Sequence, residues 1–345
     1  MQGSARLAFT LGILFSLPAS LVLADPPSVS TPQVPVAHSL ASFREAVRSG
    51  GPGKDGIPSI EHPRFLPADK AELSDADRII GIHHRGQAKA YPQRILVWHE
   101  IVNDEFAGEA ISITYCPLTG TALGFKRGDT ELGVSGKLVN SNLVMYDRAT
   151  DSEWPQILAV AIDGPLAGQG LEELRVFWTT WGAWRARHPQ TEVLSEQTGF
   201  VRNYRYDPYG SYTPLSGYYR PDSTRLFPVM HRDDRFPAKT EVFGLRGAGG
   251  ALAITREALR EEGVVNVTLG ERHYTVIHDA GLDTGWAFHN PANVSIRLAD
   301  LEFTAEGIVG PGIESLEAVN GFEAMWFAWA AFYPDTALYE GGEAP

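Results

Sequence analysis

The strongest constraint on the fold is a similarity of the chain to itself. Ile80-Gly81-Ile82 recurs as Phe243-Gly244-Leu245, and at the same separation of 163 residues Gly86 meets Gly249, Ala88 meets Ala251 and Ala90 meets Ala253. The separation holds for Leu96 and Leu259, Val102-Asn103 and Val265-Asn266, Thr121 and Thr284, and Phe125 and Phe288. A second separation, 145 residues, matches Trp181-x-x-Trp184-x-Ala186-x-x-Pro189-x-Thr191 to Trp326-x-x-Trp329-x-Ala331-x-x-Pro334-x-Thr336. Self-similarity over such a stretch marks a duplicated structural unit. Two pseudo-symmetric copies are expected, at residues 75–195 and 237–340, the second shortened where the first holds residues 133–154. Each reads as a short strand, an Ala-rich strand running into a short helix, two further strands across a turn, and a final helix bearing Trp-x-x-Trp. The i, i+3 spacing puts both tryptophans on one helical face, as core packing requires. With 35 glycines and 23 prolines supplying turns, the expectation is a β-rich α+β fold with antiparallel or barrel-like sheets.

The flanking segments read differently. Residues 1–24 carry Arg6, an apolar run from Leu7 to Leu23 and a small-residue end at Ala24, the pattern of a cleaved signal peptide. An exported protein, periplasmic or extracellular, follows, with no transmembrane segment in the mature chain because no later stretch is apolar enough to span a bilayer. Residues 25–74 form a Pro/Gly/Ser-rich lead-in with one expected helix over 39–48, and residues 196–236 form a connecting segment with an aromatic, turn-rich run at 204–219. The full chain has a formal charge of −13; without Arg6 the 28 basic and 42 acidic residues give 28 − 42 = −14. Such a surface repels nucleic acid, which leaves a small molecule or a metal ion as the expected partner.

Cys116 is the only cysteine. It cannot form an internal disulfide, so in an oxidising compartment it is either packed and inert or its sulfur is used. With one residue deleted before Gly270 it falls opposite His278 of the second copy; without the deletion it falls opposite Asp279. The first copy also holds His99-Glu100-x-x-Asn103-Asp104, where the second has Glu262-Gly263-x-x-Asn266-Val267. Residues 135–148, with Asn140, Asn142, Tyr146, Asp147 and Arg148, are dense in hydrogen-bonding groups and suit a pocket wall. A thiolate favours soft or borderline ions, so a copper site, with zinc as the alternative, would draw on Cys116, His99 and His278. As a nucleophile, Cys116 would need a base such as His99 and an orienting Asn103 or Glu100. Asn103 and Asn266 occur in both copies and read as turn-shaping residues, Asp147-Arg148 as an ion pair, and His83-His84 as exposed beside a hairpin turn.

Several motifs in order resemble one family. Trp98-His99-Glu100-Ile101-Val102-Asn103-Asp104, Thr114-Tyr115-Cys116-Pro117-Leu118-Thr119-Gly120-Thr121-Ala122 and Asn140-Ser141-Asn142-Leu143-Val144-Met145-Tyr146-Asp147-Arg148 are similar to the bacterial and archaeal domain of unknown function 3179. The resemblance runs from about Ile57 to Tyr339. Members often carry a second cysteine where this chain has Thr119, so the resemblance implies a single-thiol role in place of a dithiol. It places Cys116, His99 and residues 140–148 in the recurring core and transfers no reaction. The leading functional expectation is therefore an exported copper-site protein with a storage, delivery or oxidoreductase role, using a single thiolate with histidines. The alternatives are a cysteine-dependent hydrolase or transferase, in which Cys116, His99 and Glu100 act, and a non-catalytic small-molecule binding module whose pocket lies between the copies.

Overall fold

The computed structural model describes residues 25–32 and 34–342. The expected signal peptide, residues 1–24, lies outside the described residues. Within them the chain is β-rich, with five short α-helices and several open, mainly antiparallel sheets. No sheet closes on itself, which corrects the barrel-like alternative. No helix among the described residues is long and apolar enough to cross a membrane.

The expected Ala-rich strand is Gln87–Pro92, paired antiparallel with Arg78–His84 so that Gly81 faces Ala90. Phe177–Thr180 flanks one side of the pair, and Glu192–Leu194 lies parallel on the other. A second sheet has Glu241–Gly247 on Gly250–Thr255 with Gly244 facing Ala253, flanked by Gly321–Met325 and, in parallel, Ala337–Tyr339. Each hairpin runs directly into a seven-residue helix, Gln93–His99 and Arg256–Glu262. The two helices are followed by three-stranded meanders: Ile101–Phe106, Glu109–Cys116 and Thr121–Lys126, then Val264–Leu269, Arg272–Asp279 and Thr284–His289.

The Trp-x-x-Trp helices, Trp181–Arg187 and Trp326–Phe332, bury all four indoles completely. Trp184 and Trp329 lie over Gly81 and Gly244, where any Cβ would enter the ring. Their indole nitrogens donate to Thr191 at 3.0 Å and Thr336 at 2.9 Å. The lead-in helix is Leu40–Ala46, capped by the Ser39 hydroxyl accepting from Ser42 N–H at 3.0 Å. Residues 133–154 supply a further sheet, with Leu132–Val139 on Asn142–Asp147 joined by Asn140 and Ser141. Both turn residues have positive φ, 53° and 61°, the two-residue geometry that suits the twist of a hairpin. The connecting segment has little regular structure beyond the Gly210–Tyr212 and Leu215–Gly217 hairpin, and it folds over the end of the Glu109–Cys116 strand.

Candidate functional site

Cys116 ends its strand, and residues 117–120 turn the chain so that Thr121 pairs back with it. The thiol is fully buried within the largest apolar cluster. It donates to the Ser141 carbonyl at 3.9 Å. Burial first, and then the Glu100 carboxyl, push the thiol up to about 11, against the opposing effect of the Thr119 hydroxyl and the Leu143 and Leu118 backbone. These donors are placed to receive a thiolate once one forms.

Glu100 is the unusual partner. It closes the Gln93–His99 helix, its N–H donating to Leu96 C=O at 2.7 Å, with φ 57° and ψ −31°. A Cβ-bearing residue strains in this conformation by about 1–3 kcal/mol. The residue is 6% exposed, and its carboxyl makes no hydrogen bond or ion pair among the described residues. Burial alone lifts it to about 8, so near neutral pH it is largely a carboxylic acid. Tyr209 and Tyr218 complete the group. Both phenols are raised first by burial; Glu100 and Cys116 then raise Tyr209, and Cys116 raises Tyr218. The Tyr218 hydroxyl donates to Leu118 C=O at 2.8 Å, tying the connecting segment to the turn after Cys116. Sequence reasoning missed both tyrosines, since their link to Cys116 runs across about 100 residues of chain and leaves no spacing signal.

The other expected site residues divide into distinct groups. His99 does not use its ring on Cys116: Nδ1 lies 2.7 Å from Pro58 C=O and Nε2 2.7 Å from the Tyr204 hydroxyl, with Phe200 against the ring. Burial lowers its basicity. His278 belongs to the other meander, where Nε2 lies 3.3 Å from Asp283. Among the described residues no three His, Cys, Asp or Glu side chains form a group able to hold a metal ion. Asn142 is tied to the turn after Cys116 in a saturated network: Nδ2 donates to Thr119 and to Gln156 Oε1 at 2.9 Å, and Oδ1 accepts from Ile157 N–H. Asn140 accepts from Met230 N–H at 2.8 Å and donates to Ala331 C=O.

Asn103 sits within a strand, where its Oδ1 accepts from Ser112 and from Leu132 N–H; the turn-shaping expectation fails because the meander and the 132–139 strand need a bridging amide there. Asp147 and Arg148 do not pair. Asp147 is buried and accepts from Thr150 and Trp154, whereas Arg148 turns outward to Asp55 and Glu61. Asp147 ends the strand and Arg148 opens the turn after it, so the two side chains part at the strand end. Tyr146 joins the Arg148 side, donating to Asp55 at 2.6 Å. His83 and His84 are not exposed: His83 stacks on His188 at 5.1 Å, and His84 is half-buried beside Glu109.

The arrangement brings together a thiol, a strained carboxylic acid and two phenols, and leaves both histidines elsewhere. No curated protein and no solved structure matches the chain. A family model described as "Protein of unknown function (DUF3179)" matches residues 54–336, most of the chain, and the protein belongs to that family.

Proposed function

We propose that the protein is a thiol-dependent acyl-transfer enzyme or hydrolase acting on a small molecule, with Cys116 as nucleophile and Glu100 as its proton acceptor. The observation that carries this reading is Glu100: a residue only 6% exposed, on strained backbone, whose carboxyl makes no hydrogen bond among the described residues and acts electrostatically on the lone thiol. Such strain and desolvation concentrate at functional sites. Burial also matches the pair. The gap between thiol and carboxyl narrows from 9.0 − 4.5 = 4.5 to about 11 − 8 = 3, which eases proton transfer.

In the reaction the ionised Glu100 takes the thiol proton and sulfur forms a bond to the carbonyl carbon. The leaving group departs with the electron pair of its broken bond and receives the proton from Glu100. Water then attacks the thioester, giving one proton through Glu100 to the departing sulfur. Thr119 and the Leu118 and Leu143 backbone N–H groups stabilise the sulfur while it is anionic. The thiol is fully buried in this conformation, so the reaction requires the side chains around it to open for a substrate.

We also propose that the site lies in one of two duplicated units. The matched registers support this: Gly81 on Ala90 and Gly244 on Ala253, Cys116 on Thr121 and Asp279 on Thr284. In that frame Cys116 corresponds to Asp279, and Glu100 to Gly263, whose φ of 70° and ψ of −37° are natural for glycine. The acid therefore occupies a position whose backbone suits glycine.

The test is p-nitrophenyl acetate with the mature protein. Wild type is expected to release nitrophenol through an acetyl adduct on Cys116, seen by intact mass. Cys116→Ser should abolish the adduct, and Glu100→Gln should slow its formation by about 10²–10⁴-fold. A thiol that stays unmodified in the native protein up to about pH 9, yet reacts on denaturation, would overturn the reading. Its complete burial favours a second reading, the binding module with Cys116 as packing. A copper or zinc ion on Cys116, His99 and His278 requires both histidines to leave the partners described above. Equal metal content in wild type and Cys116→Ser, after growth with both metals, is expected; metal lost with the thiol would restore that reading.

A further inference from the structure

A cleft beside the thiol site is lined by Arg78, Lys239, Tyr212, Tyr219 and Phe236. Among the described residues neither Arg78 nor Lys239 has a carboxylate partner. The Arg78 guanidinium instead lies 5.8 Å from the Trp178 ring centroid and 6.0 Å from that of Tyr212. Lys239 is 4% exposed, donates to Tyr218 C=O and Ser223, and sits 3.1 Å from the Tyr218 ring centroid. Burial lowers its ammonium to about 8. Arg256 and Arg260 also line the cleft and are neutralised by Glu241 and by Asp283. With Asp283 counted, four cations face Glu241, Glu257, Glu340 and Asp283, 4 − 4 = 0, in a chain of −13, and Arg78 and Lys239 are the two cations of the lining without an ion pair among the described residues. Arg78 near Tyr212 and Lys239 over Tyr218, neither with a carboxylate partner, beside the stacked phenols of Tyr212 and Tyr219 at 4.0 Å between ring centroids, match an anionic head on a planar or apolar body.

We infer that this cleft binds a small molecule carrying a carboxylate or phosphate group, held between Arg78 and Lys239. The inference rests on the thiol-enzyme reading in one respect: the bound molecule is its substrate. Tyr218 connects the places, its carbonyl accepting from Lys239 and its hydroxyl donating to Leu118, next to Cys116 but one. Tyr212, on the cleft wall, shares a 3.0 Å hydroxyl contact with Tyr115, the residue before the thiol.

Succinate and inorganic phosphate serve as probes in calorimetric titrations, and they separate the two anion types. Wild type is expected to bind at least one of them saturably. Arg78→Gln should weaken binding about tenfold or more, the loss of one charge-assisted hydrogen bond. Lys239→Gln should do the same, with its melting curve checked because the residue is buried. Binding should also weaken as pH rises past about 8, where Lys239 loses its charge. Saturable binding of neither probe, or unchanged binding in Arg78→Gln, overturns the inference. The link to the thiol is read with iodoacetate against neutral iodoacetamide. In both alkylations sulfur bonds the methylene carbon, iodide leaves with the C–I electron pair, and the thiol proton passes to Glu100. The iodoacetate-to-iodoacetamide rate ratio at Cys116 should fall about tenfold in Arg78→Gln. An unchanged ratio rules out the cleft as the route to the thiol. No labelling by either reagent, with probe binding lost in Arg78→Gln, sinks the thiol enzyme and leaves the anion cleft standing.

Discussion

Gly244→Ala is expected to destabilise the fold by about 3 kcal/mol or more, the upper range for overpacking a closed core. A Cβ there would stand 2.0 Å from Cζ3 of Trp329, far inside contact distance. The indole has little freedom to give way. It is fully buried, its Nε1 is held by Thr336 at 2.9 Å, and Phe322 and Tyr333 pack against it. Gly81→Ala meets Trp184 at 2.5 Å under the same restraint from Thr191, and a smaller but similar loss is expected. Equilibrium denaturation of both variants, with Trp329→Ala as the partner for Gly244→Ala, gives the reading. If the alanine clashes with the indole, the double variant should recover part of the alanine's effect. A loss below about 1 kcal/mol for Gly244→Ala would mean that the helix slides freely on its sheet, contrary to the packing described.

The same glycine and tryptophan pairs explain why much of the fold was legible. Both members recur at fixed separations, and a glycine under an indole is a local requirement that leaves its mark in the sequence. The β-rich class and the short helices followed, because apolar periodicity and turn residues are also local signals, whereas the two strands expected after each helix fell one short of the three-stranded meander. Closure of a sheet depends on strand stagger across distant residues, and the barrel-like alternative had no such local support. At the site, Cys116 and Glu100 could be singled out as chemistry-bearing types, but their company could not. His99 lies one residue from Glu100, yet the helix ends between them, sending the imidazole to Pro58 and Tyr204 and the carboxyl toward the thiol. Tyr209 and Tyr218 reach the thiol from the connecting segment, while Arg78, at the start of an interior strand, and Lys239, in a turn, line the neighbouring cleft, and long-range contacts carry no spacing.

Glu100→Gln is expected to flatten the pH dependence of stability while removing activity. In the unfolded chain the carboxyl gives up its proton near 4.5; in the folded chain it keeps the proton up to about 8. Between these values the folded state binds the extra proton, so the stabilisation is full below about 4.5 and is lost as pH rises through 8. At about 1.4 kcal/mol for each pH unit, the span from 4.5 to 8 gives roughly 3–5 kcal/mol at a site only 6% exposed. Denaturation at about pH 5 and pH 8.5 measures it. The wild type should lose that amount more than Glu100→Gln across the interval, and taking the difference cancels the fixed cost of burying an amide. Glu100→Gly adds a separate gain of roughly 1 kcal/mol by relieving the backbone, with φ 57° and ψ −31° no longer strained. Equal pH slopes in wild type and Glu100→Gln would show that the carboxyl is solvated and would remove the ground for assigning it a role. A residue that destabilises the fold by both its charge and its backbone, and whose replacement stabilises the protein while stopping acylation of Cys116, is held there by chemistry, since packing alone would favour its loss.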